Sequence, residues 1–172
     1  RVQLGRFVGA QPDHFALIKK PIHNVYTLLS LLGDRRLAVT GVPDAGTDLR
    51  VLATSLGTLE RPEGIALLLV AHRDGQVAPA GTTRVQIAIH GTAFEEAATV
   101  QWGLDQSHAN TYQLWQDLGQ PPPPDPGQLA ALRRIQELPR TTEPCDIVAR
   151  QGKFTLTTSV PLPGIRLILL AP

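Results

Sequence analysis

Short segments in which apolar and polar residues alternate one for one constrain this chain's fold more than any other feature of its sequence. The three clearest lie at 84–90, 100–105 and 153–160. A period of two places successive side chains on opposite faces of an extended strand. Each segment therefore predicts a strand with one face on a core and the other toward water. For 100–105 the predicted core residues are Val100, Trp102 and Leu104, and the predicted solvent-facing residues are Gln101, Gly103 and Asp105.

Five further strands are predicted from short apolar runs that end at glycine- and proline-rich turns. The run at 65–72 is continuous rather than alternating, which favours a central strand. Eight short strands separated by turns are typical of a sandwich. We therefore predict a mostly β fold, a two-sheet antiparallel β-sandwich. The other four strands are predicted at 36–40, 49–55, 146–150 and 165–170, and the turns at 43–46, 61–64, 73–75 and 163–164.

Two helical zones interrupt the β pattern. An N-terminal helix is predicted at 21–32, with Pro21 in its first turn and Gly33 as the glycine that ends it. A helix–loop–helix excursion is predicted at 110–138, with a proline-rich link at 121–126 between its helices. The predicted buried stripe of the N-terminal helix is Ile22, Val25, Tyr26, Leu28, Leu29 and Leu32, and that of the first excursion helix is Leu114, Trp115 and Leu118.

Composition narrows the classes of partner. The chain has 172 residues, enough for one domain with one hydrophobic core. Its net charge of +1 gives no reason to expect a nucleic acid or an anionic membrane as partner. The longest apolar run is far shorter than the roughly 20 residues that cross a bilayer. A single cysteine, Cys145, excludes an internal disulfide and predicts a plain thiol. The cellular compartment is left open.

The residues offer no recognisable catalytic or metal-binding pattern. Glu95 and Glu96 are adjacent, but a solvated turn is the better interpretation than a catalytic pair. Glu60 and Glu63 flank a proline in another turn. No two histidines have the spacing that places paired ligands on one element. We therefore predict no catalytic residue, no metal site and no cofactor; the histidines are His14, His23, His72, His90 and His108.

The stretch from Leu104 to Leu132 carries the most specific pattern. It reads L-D-x-x-H-x-N-x-Y-x-x-W-x-x-L-G-x-P, followed by P-x-x-x-Q-L-x-x-L. This pattern resembles the C-terminal β-sandwich of family 39 glycoside hydrolases, the β-xylosidases and α-L-iduronidases. Residues 19–33 are similar to the helix with which that family leaves its catalytic barrel, and residues 164–172 resemble its closing strand.

The resemblance implies a domain of a larger enzyme. Family members join a (β/α)8 barrel, which carries two catalytic glutamates, to this sandwich. No segment here matches the barrel motifs, and 172 residues cannot hold a barrel of about 250 residues plus a sandwich. The resemblance therefore implies a fragment: a non-catalytic accessory domain at 15–172, with 1–14 as a linker or tail from the barrel. The implied partner is that barrel in the same polypeptide, and carbohydrate is a further candidate.

The candidate contact residues are Asp105, His108, Asn110 and Tyr112. The loop from Asp105 to Asn110 is polar, short and held between a strand and a helix. It is either a capped structural corner or a loop lent to the substrate cleft. Two other classes of function stay open: an independent carbohydrate-binding module that uses Tyr112, and an enzyme that uses Glu95 or Glu96 with a histidine. The family's sandwich also recruits a strand from before the barrel, so we expect an open sheet edge here.

Overall fold

A computed structural model of the chain describes residues 7–8, 15–41, 49–58, 60–73, 81–141, 145–150 and 153–172. The turn predicted at 43–46, most of the turn at 73–75, His14 and most of the tail at 1–14 lie outside these residues. The strands are β1 (Phe7–Val8), β2 (Phe15–Ala16), β3 (Arg35–Arg36), β4 (Leu49–Gly57), β5 (Pro62–Ala71), β6 (Gly81–His90), β7 (Ala98–Asp105), β8 (Asp146–Arg150), β9 (Lys153–Leu162) and β10 (Gly164–Ala171). The helices are α1 (Pro21–Ser30), α2 (Thr111–Asp117) and α3 (Pro126–Ile135).

Eight of these strands form two antiparallel sheets. The larger sheet has the order β3-β4-β5-β10-β7, and the smaller one has the order β6-β9-β8. β1 and β2 pair separately as a short antiparallel ladder. The prediction of a mostly β, two-sheet antiparallel fold is confirmed. Seven of the eight predicted strands are present, whereas the strand predicted at 36–40 is reduced to β3, which overlaps that range only at Arg36. None of the helices in the described residues is long and apolar enough to span a membrane.

The main core lies between the two sheets. The smaller sheet contributes Phe154, Leu156 and Val160, and the larger contributes Leu67, Leu69, Ile168 and Leu170, among others. A second core lies on the opposite face of the larger sheet, where Leu28 of α1 packs on Ala66, Leu68 and Leu167. β5 is therefore covered on both faces. This explains its continuous apolar sequence and confirms that it is a central strand.

The predicted orientation of β7 is wrong for its polar residues. Gln101, Gly103 and Asp105 are buried rather than solvent-facing. They pair with Ile168, Arg166 and Gly164 of β10, and partners across an antiparallel pair point to the same face. That face looks into the space between the sheets, so their polar atoms need partners there. Thr158 Oγ1, for example, donates a hydrogen bond to Gln101 Oε1 at 3.3 Å.

The two tryptophans predicted to lie in the core are only half-buried. Trp102 packs against the second core, with the Arg140 guanidinium 5.8 Å from its ring centroid. Trp115 lies on α2, where its indole Nε1 donates to the Pro121 carbonyl at 3.4 Å. Both indoles therefore sit at the margin of the apolar packing.

The N-terminal helix and Gly33 also differ from prediction. α1 ends at Ser30, and Asn24 and Leu28 are its buried residues, whereas Ile22, Tyr26 and Leu29 are exposed. Gly33 does not adopt a left-handed conformation. Its place is fixed by close approach, because a Cβ there would overlap the backbone carbonyl of Ser55 on β4. Both excursion helices lie within the predicted 110–138 range, capped by Asn110 and Asp125.

The smaller sheet has two edges with no paired strand among the described residues, one at β6 and one at β8. Each edge leaves backbone hydrogen-bonding groups of its strand facing away from the sheet. That one of them is the open edge expected from the sequence stays a prediction.

Candidate functional site

The candidate site is the corner, residues 105–110, where β7 ends and α2 begins. Asp105 is its centre, and its side chain is 6% exposed. One carboxylate oxygen, Oδ1, accepts hydrogen bonds from the backbone N–H groups of Ser107 and His108 at 2.9 and 3.0 Å. The His108 ring donates to the same carboxylate, with Nδ1 2.9 Å from Oδ1 and 3.1 Å from Oδ2. A single buried acid thus organises the whole turn.

A buried arginine lies behind this carboxylate. Arg166 of β10 is 1% exposed, and its Nη2 is 3.7 Å from Asp105 Oδ2. The guanidinium passes over the neighbouring strand at Gly103, where a Cβ would overlap Nη1. Gly103 therefore provides the space that the arginine occupies. Sequence reasoning missed this pair, although the one charged residue in the apolar strand 165–170 was a visible signal.

Asn110 closes the corner on its helical side. Its Oδ1 accepts from the Gln113 N–H at 3.0 Å and caps α2. Its Nδ2 donates to the Asp105 carbonyl at 3.1 Å. Between them Ala109 is buried in the left-handed region, with φ 56°. The conformation of the corner is therefore fixed by side chains on both sides of it.

The N-terminal segment is joined to the excursion by several hydrogen bonds. Asn24, buried on α1, donates from Nδ2 to the carbonyls of Ala109 at 3.2 Å and Gln136 at 3.0 Å. Thr111 Oγ1 donates to the Lys19 carbonyl at 2.6 Å. At the surface the Lys19 ammonium binds Glu137 at 2.7 Å, and this hydrogen bond holds the pKa of Glu137 below its usual value. The corner, α1 and the end of α3 are thus one connected unit.

The structure divides the four candidate contact residues into two pairs. Asp105 and Asn110 point inward and are used by the corner's own hydrogen bonds. His108 and Tyr112 are exposed, with 56% of the His108 side chain and 53% of Tyr112 accessible. The Tyr112 ring also contacts Trp115, with ring centroids 5.9 Å apart and a tilt of 33°. Of the four candidates, only His108 and Tyr112 are therefore accessible from solvent to this extent.

The other candidate groups do not assemble into a site. Glu95 and Glu96 are both exposed, in the connection between β6 and β7. Among the described residues no group of three histidine, cysteine or acidic side chains could hold a metal ion. Cys145 is half-buried, and burial raises the pKa of its thiol. None of these groups lies in the corner.

α1 has an apolar face that the sandwich does not cover. We call Ile22, Tyr26 and Leu29 the outward stripe, because they follow one another at helical spacing on the side away from Leu28. All three are exposed, and Tyr26 is 66% accessible. Leu17, just before the helix, is exposed as well. The helix therefore has one apolar face on the sheet and a second one facing outward.

These features define a β-sandwich domain that carries a helix on the outer face of its larger sheet and a helix–loop–helix after β7. Residues 5–153 match the family described as glycosyl hydrolases family 39. The chain belongs to this family, which confirms the resemblance seen in its sequence.

Individual relatives show the same relationship. The chain is 27% identical to α-L-iduronidase of Mus musculus over 168 residues, which are 93% of this chain and 26% of that protein. The solved bacterial orthologue of human α-L-iduronidase superposes with a TM-score of 0.70 at 28% identity, covering 92% of this chain and 28% of the other. A monomeric β-xylosidase from Caulobacter crescentus shares the fold, with a TM-score of 0.67 at 18% identity and coverage of 90% and 31%. The chain thus spans less than a third of each relative's length.

Proposed function

We propose that this chain is a non-catalytic β-sandwich domain that braces the (β/α)8 catalytic barrel of a family 39 glycosidase. The observation that carries the proposal is the outward stripe of α1. Three large apolar side chains in a row on one helix face leave a contiguous apolar surface in water, and such surfaces mark sites of interaction. A catalytic domain that covered this face would turn α1 into a helix shared between two cores.

The size of the relatives supports this choice of partner. The chain corresponds to 26–31% of the α-L-iduronidase and β-xylosidase chains it resembles. The remainder of such a polypeptide supplies a large surface beside the sandwich. The hydrogen bonds that Asn24 and Lys19 make with the excursion would hold α1 to the rest of the sandwich when a barrel packs against it.

The arrangement of carboxylates favours a non-catalytic role. Glycoside hydrolysis generally uses two carboxyl groups about 5–10 Å apart across the scissile bond. Asp105 is buried and occupied by backbone N–H groups, His108 and Arg166. Glu95 and Glu96 are solvent-exposed neighbours on a connection. We therefore expect no hydrolysis of 4-nitrophenyl β-D-xylopyranoside by this chain alone; hydrolysis that Glu95→Gln abolishes would contradict the proposal.

Replacing Tyr26 with lysine tests whether the outward stripe is the surface on which the barrel docks. In a polypeptide that contains the catalytic barrel, we expect Tyr26→Lys to lower the free energy of unfolding by about 2 kcal/mol or more, since it places a charge in an apolar interface. In the 172-residue chain alone the same change should stay within about 0.5 kcal/mol, because the side chain is largely in water. Thermal and urea unfolding of both polypeptides measure the difference.

Val148→Lys is the matched control. Val148 is also exposed and apolar, but it lies on β8, at the edge of the smaller sheet. We expect it to have a small effect in both polypeptides. If Tyr26→Lys lowers the free energy of unfolding equally with and without the barrel, α1 is not the docking surface. The same conclusion follows if Val148→Lys destabilises the barrel-containing polypeptide as much as Tyr26→Lys does.

A further inference from the structure

We infer that the two ends of the helix–loop–helix excursion form a clasp, which holds the segment leading into α1 at Lys19 and so fixes the direction in which the polypeptide enters the sandwich. The clasp consists of Thr111, Gln136 and Glu137. The inference rests on the proposed function and deepens it, because a domain braces its neighbour only if the segment that joins them does not swivel.

Lys19 is held through each of its polar groups. Its backbone N–H donates a hydrogen bond to Gln136 Oε1 at 3.1 Å, and its carbonyl accepts one from Thr111 Oγ1 at 2.6 Å. Its ammonium group binds the Glu137 carboxylate at 2.7 Å. The three partners are 92 to 118 residues away in the sequence, so no local turn provides these contacts. The backbone of residue 19 is therefore fixed on both sides of its Cα.

The three partners come from the two ends of the excursion. Thr111 is the first residue of α2 and is buried, whereas Gln136 is the C-cap of α3 and Glu137 follows it. α2 and α3 pack against each other. The excursion therefore leaves and rejoins the sandwich at one place, and residue 19 contacts both of its ends. A contact with one end alone would leave the entering segment able to pivot about it.

The first turn of α1 does not supply this restraint itself. Its N-cap residue, Lys20, makes no side-chain capping hydrogen bond, and no acidic residue lies in the first turn. The other two helices are capped by the side chains of Asn110 and Asp125. Pro21 sets one backbone angle but has no N–H group that a cap could bind. The start of α1 is thus fixed by the clasp rather than by its own cap.

Asn24 adds a second point of attachment, further along α1. Its Nδ2 donates to the carbonyls of Ala109 and Gln136, at 3.2 and 3.0 Å. Gln136 therefore binds the entering segment with its side chain and α1 with its backbone. Attachments at positions 19 and 24 together oppose both rotation and sliding of the helix start. Because Asn24 and Thr111 are buried, water competes little for their hydrogen bonds.

Amide hydrogen exchange of the full 172-residue chain, followed by NMR, tests whether the clasp acts as a unit. Thr111→Val keeps the shape of the side chain and removes the donor to the Lys19 carbonyl, but it leaves Gln136 to accept from the Lys19 N–H. We nevertheless expect the Lys19 amide to exchange about tenfold faster, the effect of losing one buried hydrogen bond. Thr111→Ser retains the hydroxyl and should keep the exchange rate of the unmodified chain.

Thr27→Val is the matched control, because it makes the same change at a hydroxyl that donates to a carbonyl within α1, that of His23, at 3.2 Å. We expect it to alter the Lys19 rate by less than about twofold. Gln136→Leu is a second variant, which also serves if Thr111→Val does not fold. It removes the acceptor side chain and should make the His23 amide, in the first turn of α1, exchange about tenfold faster.

Three results would overturn the inference. One is a Lys19 amide that exchanges no faster in Thr111→Val than in Thr27→Val, and another is an unchanged His23 amide in Gln136→Leu. The third is an equal acceleration at Leu68 in the central strand β5, because the substitution would then have lowered the stability of the whole sandwich.

These exchange measurements contain no barrel, so they are independent of the Tyr26→Lys experiment. Failure of that experiment would remove the outward stripe as the docking surface and leave the clasp in place. Failure of the exchange experiment would remove the clasp and leave the docking surface.

Discussion

Asp105→Ala is expected to lower the free energy of unfolding by about 3–5 kcal/mol, as removing one partner of a buried ion pair does. The change removes the acceptor for two backbone N–H groups and for the His108 ring. It also takes a buried carboxylate away from Arg166, whose guanidinium stays between the sheets. Urea unfolding, followed by circular dichroism, measures the loss.

Two variants show which interaction causes that loss. His108→Ala removes only the exposed partner of Asp105 and should cost no more than about 1 kcal/mol. Asp105→Asn keeps the size of the side chain and one acceptor oxygen but removes the charge, so its cost should lie between the other two. A loss below about 1 kcal/mol for Asp105→Ala, within the range of an exposed pair, would mean that the carboxylate does not hold the corner.

The strands were predictable because their pattern is local. A period of two identifies β6, β7 and β9, and short apolar runs that end at turn residues identify β4, β5, β8 and β10. The continuous apolar run of β5 also indicates burial on both faces. The pattern does not show which face of a strand is buried. In β7 both faces are covered, one by the smaller sheet and one by α1 and its neighbours, so the polar set is buried too. Only the pairing of β7 with β10 fixes that arrangement.

The N-terminal helix is a second element whose buried face could not be predicted from its sequence pattern. Its apolar residues at helical spacing predicted one buried stripe, but the structure separates them into Leu28 on the sheet and Ile22, Tyr26 and Leu29 outside. A helix with two apolar faces satisfies the same sequence pattern as a helix with one broad face. Asn24, a polar residue among them, is the buried one because two backbone carbonyls of the excursion need a donor.

The corner shows how far motif reasoning reaches. The spacing of Asp105, His108 and Asn110 indicated a polar turn before a capped helix, and the Asn110 cap is present. Nothing in that spacing identified Arg166 or Gly103, which lie under the turn. Gly103 of β7 and Arg166 of β10 are paired residues of two strands that are far apart in the sequence. The missing side chain of the glycine leaves the space that the arginine side chain occupies.

Gly33→Ala is expected to be the second severe substitution, with a loss of about 3 kcal/mol or more, at or above the upper end for overpacked sites. An added Cβ would overlap the Ser55 carbonyl, which belongs to the backbone of β4 and cannot rotate away. The same segment is held by the Gly33 N–H, which donates to Thr54 Oγ1 at 2.9 Å. The end of α1 would have to lift from the sheet, and Leu28 would lose part of its packing. Urea unfolding of the variant measures the loss.

Gly81→Ala provides the matched control, because it adds the same methyl group at the start of β6, where no atom lies within 4 Å. We expect a change within about 0.5 kcal/mol there. If the two alanine variants unfold alike, the approach of α1 to β4 is not tight. If only Gly33→Ala is destabilised, the helix is fixed to the sheet at its C-terminal end, as Asn24 fixes it to the excursion. A helix fixed at both places presents its outward stripe in one orientation, which is what a rigid brace between two domains requires.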